Sequence, residues 1–142
     1  MLTVRQLLGM KKSEVYAVGD EAAVIDAIRL MADKGIGAVL VMRGQRLVGI
    51  LSERDYARKV VLRDRSSATT RVSEIMTAEV VTVGPAESVE KCMQIVTERR
   101  IRHLPVVQGD EVLGVISIGD LVKALLEDQR RDIDQLQRYI AG

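Results

Sequence analysis

VYAVGDEAAVIDAIRLMADKGIGAVLVMRGQRLVGILSERDYAR, residues 15–58, is answered without a gap by VVTVGPAESVEKCMQIVTERRIRHLPVVQGDEVLGVISIGDLVK, residues 80–123. A shift of 65 makes ten of the 44 aligned positions identical: Val15 and Val80, Val18 and Val83, Gly19 and Gly84, Val24 and Val89, Ile36 and Ile101, Val41 and Val106, Gly44 and Gly109, Gly49 and Gly114, Ser52 and Ser117, Asp55 and Asp120. Other pairs keep hydrophobic character, as Leu47 with Val112 and Ile50 with Val115 do. The chain is a duplicated fold unit. Two copies with a period above the ~20–50 residues of solenoids predict compact halves facing each other rather than an open array.

Each copy opens with a short β-like run, Val15 to Val18 or Val80 to Val83, closed by Gly19 or by Gly84-Pro85. Val24, Ala27, Ile28 and Met31, matched by Val89, Cys92, Met93 and Val96, then recur at the i, i+3, i+4, i+7 spacing of a helix with one buried face. Two apolar runs follow in each copy, Ala38 to Met42 with Leu47 to Leu51, and Leu104 to Val107 with Val112 to Ile116. Their β-branched residues suit a buried sheet. The polar turns Arg43-Gly44-Gln45-Arg46 and Gln108-Gly109-Asp110-Glu111 read as hairpins. A second helix begins after Ser52 or Ser117, so each copy reads β-α-β-β-α, with its first two strands parallel through a right-handed crossover.

Around the copies, Val4-Arg5-Gln6-Leu7-Leu8 and Val72-Ser73-Glu74-Ile75-Met76 are related lead-in segments, shifted by 68 rather than 65. The polar stretch Arg63 to Arg71 reads as a linker. The expected organisation is a first repeat with its lead-in over residues 1–62, a linker over 63–71, a second repeat with its lead-in over 72–126, and a terminal helix over 127–142. That tail carries Ile133, Leu136 and Ile140 on one stripe, which either caps the fold or meets a second subunit.

At 142 residues and 47% hydrophobic, the chain is one ordinary domain or two small ones sharing a core. Its 21 basic and 20 acidic residues nearly cancel, so no overall field recruits nucleic acid or an acidic membrane. One cysteine excludes an internal disulfide and multi-cysteine zinc patterns, and one histidine excludes a His-x-x-x-His pair. Cys92, aligned with Ala27, reads as a small core residue rather than a nucleophile. Met1 to Lys12 holds no long apolar stretch, and no run approaches the ~18 apolar residues of a membrane span, so a soluble cytoplasmic protein is expected.

The chemistry concentrates in Gly49-Ile50-Leu51-Ser52-Glu53-Arg54-Asp55 and Gly114-Val115-Ile116-Ser117-Ile118-Gly119-Asp120. Serine at an N-cap with an acid three residues later is a capping box and needs no ligand to justify it. The same helix start offers unpaired amides and partial positive charge to a phosphate, while a nearby carboxylate can accept the two hydroxyls of a ribose.

Set in the duplicated pattern, these motifs, with Ile101-Arg102-His103-Leu104-Pro105-Val106-Val107, the Val-x-x-Ile-Met-Thr lead-in at Val72 to Thr77 and the run Gly35-Ile36-Gly37-Ala38, make the chain resemble a tandem pair of CBS domains over nearly its whole length. The resemblance implies an α/β (α+β) fold, two β-α-β-β-α repeats packed with pseudo-twofold symmetry, and two clefts that hold adenosine compounds such as AMP, ADP, ATP, NAD or S-adenosylmethionine. Carried over by position, it implies that Asp55 and Asp120 bind ribose hydroxyls, with Ser52 and Ser117 beside ribose or phosphate. Thr82 and Val83, Ile36, Gly37 and Ala38, and Ile101, Arg102, His103 and Leu104 would frame the base. Pro105, which has Leu40 as its first-copy counterpart, is counted with them among the ligand-binding residues.

The two sites are expected to differ. Copy one offers Arg54 as a phosphate contact. Copy two has Ile118 and Gly119 in its motif, and Gly119 permits close backbone approach to a ligand. His103 is equally a ligand contact or a strand-end residue, Arg99 reads as a helix-end charge, and Arg100 and Arg102 stay open. The basic residues Arg54, Arg58, Lys59, Arg63 and Arg65 are interrupted by acids, and only Tyr16, Tyr56 and Tyr139 could stack on bases, which argues against nucleic acid. With no base and nucleophile pair and no metal set, no enzyme is expected. The reading is a ligand-sensing regulatory module, a homodimer through its second helices and tail, signalling to an unknown effector protein. The alternative is a dimerising scaffold whose Ser and Asp are only caps.

Overall fold

A computed structural model describes residues 2–11 and 14–141. Met1, Lys12, Ser13 and Gly142, which the sequence reading placed in the first lead-in and the terminal helix, lie outside the described residues. In chain order the elements are α1 (Val4–Met10), β1 (Ala17–Gly19), α2 (Val24–Lys34), β2 (Ala38–Arg43), β3 (Arg46–Ser52), α3 (Glu53–Lys59), a 3-10 turn at Val61–Arg63, α4 (Val72–Ile75), α5 (Val89–Arg99), β4 (His103–Gln108), β5 (Glu111–Ser117) and α6 (Ile118–Ala141). The β-α-β-β-α order thus recurs, and both hairpins turn through a glycine of positive φ, Gly44 at 62° and Gly109 at 61°. Arg43 opposite Arg46 and Gln108 opposite Glu111 close two-residue turns, which need such a φ at the first central position.

Contacts divide the chain into two compact units, and these do not follow chain order. One is Val15–Val80; the other joins Met1–Glu14 to Val81–Gly142. Each lead-in segment therefore packs on the copy it does not precede. In the continuous unit, Val72 N–H donates to Ala22 O at 2.8 Å and Val24 N–H donates to Thr70 O at 2.9 Å. In the other, Val4 N–H donates to Glu87 O at 2.8 Å and Val89 N–H donates to Leu2 O at 2.9 Å. These are the same two bonds under the shifts of 65 and 68.

In the continuous unit, β1 runs parallel to β2 and β2 antiparallel to β3. The apolar stripe of α2, Val24, Ala27 and Met31, packs with Val39, Val41 and Leu51 of the sheet and with Val60, Val72 and Ile75. The second unit repeats this core with Val89, Cys92 and Val96 of α5, with Leu104, Val106 and Ile116 of its strands, and with Val4, Leu7, Leu121 and Ala124. Cys92 is fully buried, as expected of a core residue. Burial, with a smaller push from Glu87, raises its thiol to about 11.

Two expectations are corrected. The run Val80 to Val83 forms a single parallel bridge, Val83 opposite Val106, rather than a strand. In copy one Leu40 N–H donates to Tyr16 O at 3.1 Å. The counterpart of Leu40 is Pro105, which has no N–H to give, so this rung of the ladder is missing in copy two. The terminal helix is also not separate: α6 runs unbroken for 24 residues from Ile118. In copy one the corresponding helix ends after Lys59, where Val60, the 3-10 turn and Asp64 at φ 52° divert the chain.

Candidate functional site

Each hairpin has one closed end, at its glycine turn, and one open end. At the open end of β2 and β3, Ala38 lies opposite Ser52, and Gly37 O accepts Glu53 N–H at 3.0 Å. Under the 65-residue shift, His103 lies opposite Ser117, and Arg102 O accepts Ile118 N–H at 2.9 Å. The structure therefore gathers Gly37, Ala38, Ser52 and Asp55 at one hairpin mouth and Arg102, His103, Ser117 and Asp120 at the other.

The capping box is formed in both copies. Ser52 Oγ accepts Asp55 N–H at 3.1 Å, and Asp55 Oδ2 accepts Ser52 N–H at 3.0 Å. Asp120 N–H donates to Ser117 Oγ at 3.1 Å, and Asp120 Oδ2 accepts Ser117 N–H at 2.9 Å. Each Asp thus shares a reciprocal pair of bonds with the Ser three residues before it, which holds its side chain against the strand end with no ligand required.

The two carboxylates differ in their remaining partners. Asp55 Oδ1 is approached by Thr77 Oγ1 at 3.4 Å and by Lys59 Nζ at 3.2 Å, and Lys59 also donates to Ile75 O at 2.9 Å. Copy two has Ala124 in place of Lys59. Its ammonium comes instead from the end of α1: Lys11 Nζ donates to Asp120 Oδ2 at 2.5 Å and to Val115 O at 2.8 Å. Val115 is the counterpart of Ile50, whose carbonyl accepts the Thr77 amide at 2.9 Å. One lysine therefore bonds both acceptors that Thr77 reaches in copy one with its amide and its hydroxyl. Burial alone would raise the Asp120 carboxyl, but the bonds from Lys11 and Ser117 outweigh it and hold it below its usual range.

The motif glycines serve the lead-ins. A Cβ on Gly49 would strike Met76 Sδ, with Met76 Cγ at 2.9 Å and Thr77 O at 3.1 Å, and one on Gly114 would stand 2.9 Å from a Leu8 methyl. Both strands run bare there so that the lead-in side chain can lie on them.

Of the other expected site residues, Ile36 and Ile101 are half-buried where the first helix of each copy meets its strand. Leu104 is fully buried in the core and Pro105 is buried beside it, so Leu104 leaves only its backbone for recognition. Thr82 is exposed next to buried Val83 on the bridge to β4. Arg54 lies exposed in the first turn of α3, and α6 opens with half-buried Ile118 and exposed Gly119. The sequence reading missed three groups at these mouths: Lys11, Lys59 and Thr77. Lys59 was legible as the i, i+4 partner of Asp55, whereas Lys11 lies 109 positions from its carboxylate. Among the described residues no cluster of His, Cys, Asp and Glu could hold a metal, and no helix is long and apolar enough to cross a membrane.

Known proteins are similar to this chain in sequence and fold. A structure of a protein with CBS domains from Burkholderia ambifaria is 54% identical, with a TM-score of 0.87 over 90% of this chain and 96% of its own. The CBS domain-containing protein CBSX3, mitochondrial, of Arabidopsis thaliana is 41% identical over 84% of this chain, which spans 60% of that protein's length. A hexameric CBS-CP12 protein from bloom-forming cyanobacteria is 32% identical, with a TM-score of 0.77 over 86% of this chain and 70% of its own. The CBS domain itself matches residues 4–62 and again 72–127, once for each copy of the repeat. The duplication, the two capped hairpin mouths and this double match make the chain a tandem member of the CBS-domain family, whose pairs are generally regulatory, ligand-binding modules.

Proposed function

We propose that the chain is a ligand-sensing regulatory module that takes an adenosine nucleotide or cofactor, of the AMP, ADP, ATP, NAD or S-adenosylmethionine class, and signals its occupancy to an effector protein as a homodimer. The observation that carries this reading is the pair of carboxylates, Asp55 and Asp120, each fixed by its own Ser beside strand-end backbone, Gly37-Ala38 or Arg102-His103. Two acceptor oxygens held in place suit vicinal ribose hydroxyls, and the adjacent backbone amides and carbonyls suit a base edge. Arg54 offers a phosphate partner in copy one, and Gly119 leaves room in copy two.

Titration of the purified protein with each nucleotide, read by thermal unfolding and calorimetry, tests this. A ligand at ~100 times its dissociation constant stabilises the fold by about 2.7 kcal/mol. Native mass spectrometry of freshly purified protein reports any retained small molecule and the subunit count. Asp55→Ala and Asp120→Ala assign the mouths: affinity lost with folding intact supports ribose binding. Unaltered stability with every compound would leave the second reading, a ligand-free dimerising scaffold, which the completeness of both capping boxes favours.

A further inference from the structure

From Gln129 to Ala141 every residue of α6 is exposed, yet this stretch is not uniformly polar. Val122, Leu126, Ile133, Leu136 and Ile140 are 43%, 61%, 55%, 60% and 76% exposed. With Gln129 they stand at 122, 126, 129, 133, 136 and 140, steps of four and three in alternation, the heptad spacing of a two-stranded coil. The a positions are Leu126, Ile133 and Ile140; the d positions are Val122, Gln129 and Leu136. Ile133 at a with Leu136 at d is the combination that favours two parallel strands, and Ile140 continues the β-branched a row.

We propose that α6 pairs with α6 of a second copy of this chain, parallel and in register, along this seam. The proposal deepens the homodimer reading above and rests on it. The side of α6 that faces its own unit carries Leu121 and Ala124, both buried, which fall at c and f, away from the a and d row. Anchoring at those two residues supplies the helical nucleus that an isolated helix of this length lacks. Charge selects the direction. The e flank carries Lys123 and Arg130, and the g flank carries Asp132. A parallel pair sets each g residue against the e residue of the next heptad in the other helix, so that Asp132 meets Gln137 and Arg130 meets Leu125 and no like charges face each other. An antiparallel pair turns each flank on itself and brings Arg130 towards Arg130 and Asp132 towards Asp132. Gln129, the one polar group in the seam, finds its own counterpart only when the two copies are in register. At the start of the seam Gly119 helps open a depression of about 590 Å³ beside Val122 and Leu126, room for a partner side chain.

Disulfide trapping of full-length chain decides it, since the native Cys92 is buried and silent. Leu136→Cys under mild oxidation is expected to give a covalent dimer in high yield, because parallel d positions face each other. A covalent dimer formed only on mixing Val122→Cys with Ile140→Cys overturns the parallel arrangement. Ile133→Asp with Leu136→Asp, both at exposed positions, is expected to raise the dimer dissociation constant at least ~100-fold in sedimentation equilibrium. A wild-type dimer that survives this double substitution unchanged refutes the seam and leaves the homodimer standing. A wild-type chain that is monomeric refutes both.

Discussion

The lysine bound to Asp120 can be weighed against the one beside Asp55 by two double-mutant cycles. The substitutions are Lys11→Met and Asp120→Asn in one cycle, and Lys59→Met and Asp55→Asn in the other; Asn keeps an oxygen for the serine amide, so each helix stays capped. Lys11 and Asp120 retain only 26% and 27% side-chain exposure and meet at 2.5 Å. A shielded charge-assisted hydrogen bond contributes about 1.5–3 kcal/mol, and the remaining solvent access discounts this to roughly 1–2 kcal/mol. Lys59 is 40% exposed, 3.2 Å from Asp55 and in the i, i+4 relation, for which about 0.3–0.5 kcal/mol is expected. The chain has no tryptophan, so urea unfolding is followed by far-UV circular dichroism, at low and at high salt. The Lys11 coupling is expected to be the larger of the two and the less sensitive to salt. Acid adds a sign. The Asp120 carboxyl is held below its usual range in the folded chain, so its contribution is complete above the unfolded value of about 3.9 and disappears as the pH falls through the folded one. Asp120→Asn should remove that part of the acid limb. A coupling below about 0.3 kcal/mol for Lys11 and Asp120, or one smaller than that of Lys59 and Asp55, refutes the reasoning.

Gly49→Ala meets the Thr77 carbonyl as well as Met76 and should cost about 1–3 kcal/mol. Gly114→Ala meets only a rotatable Leu8 methyl and should stay within about 1 kcal/mol of wild type in the same denaturation assay. Arg100 occupies at φ 54° the left-handed helix end that Gly35 occupies at φ 63° in copy one. Arg100→Gly should therefore raise stability by about 0.5–1 kcal/mol and Gly35→Ala should lower it by about 1 kcal/mol, read as opposite shifts of the thermal midpoint. A Cβ on Gly119 would touch only Ser117 Oγ, at 3.6 Å. Gly119→Ala should thus gain about 0.5–1 kcal/mol of stability through helix propensity, while calorimetry registers weaker nucleotide binding at the second copy.

The repeat made much of this fold legible. Gly44 and Gly109 announced the hairpins, the α2 and α5 stripes announced the buried faces, and Ser52 with Asp55 announced a cap that the structure contains in both copies. Local patterns report local structure, because helix period and turn chemistry act over a few residues. What stayed hidden acts at a distance. The loss of a strand at Val80 to Val83 traces to Pro105 in another strand, and the cation on Asp120 arrives from Lys11 in a segment that precedes the other copy. Neither leaves a periodic trace in the residues it affects.

Packing each lead-in on the opposite copy has a consequence for synthesis. As the chain leaves the ribosome, Val15 to Val80 is a single stretch that holds every strand and helix of its unit, so it can close as soon as Val80 has emerged. Residues of α1, made before that stretch, must wait unattached until the chain from Val81 onward exists, and a cut between the copies strands one helix on the wrong fragment.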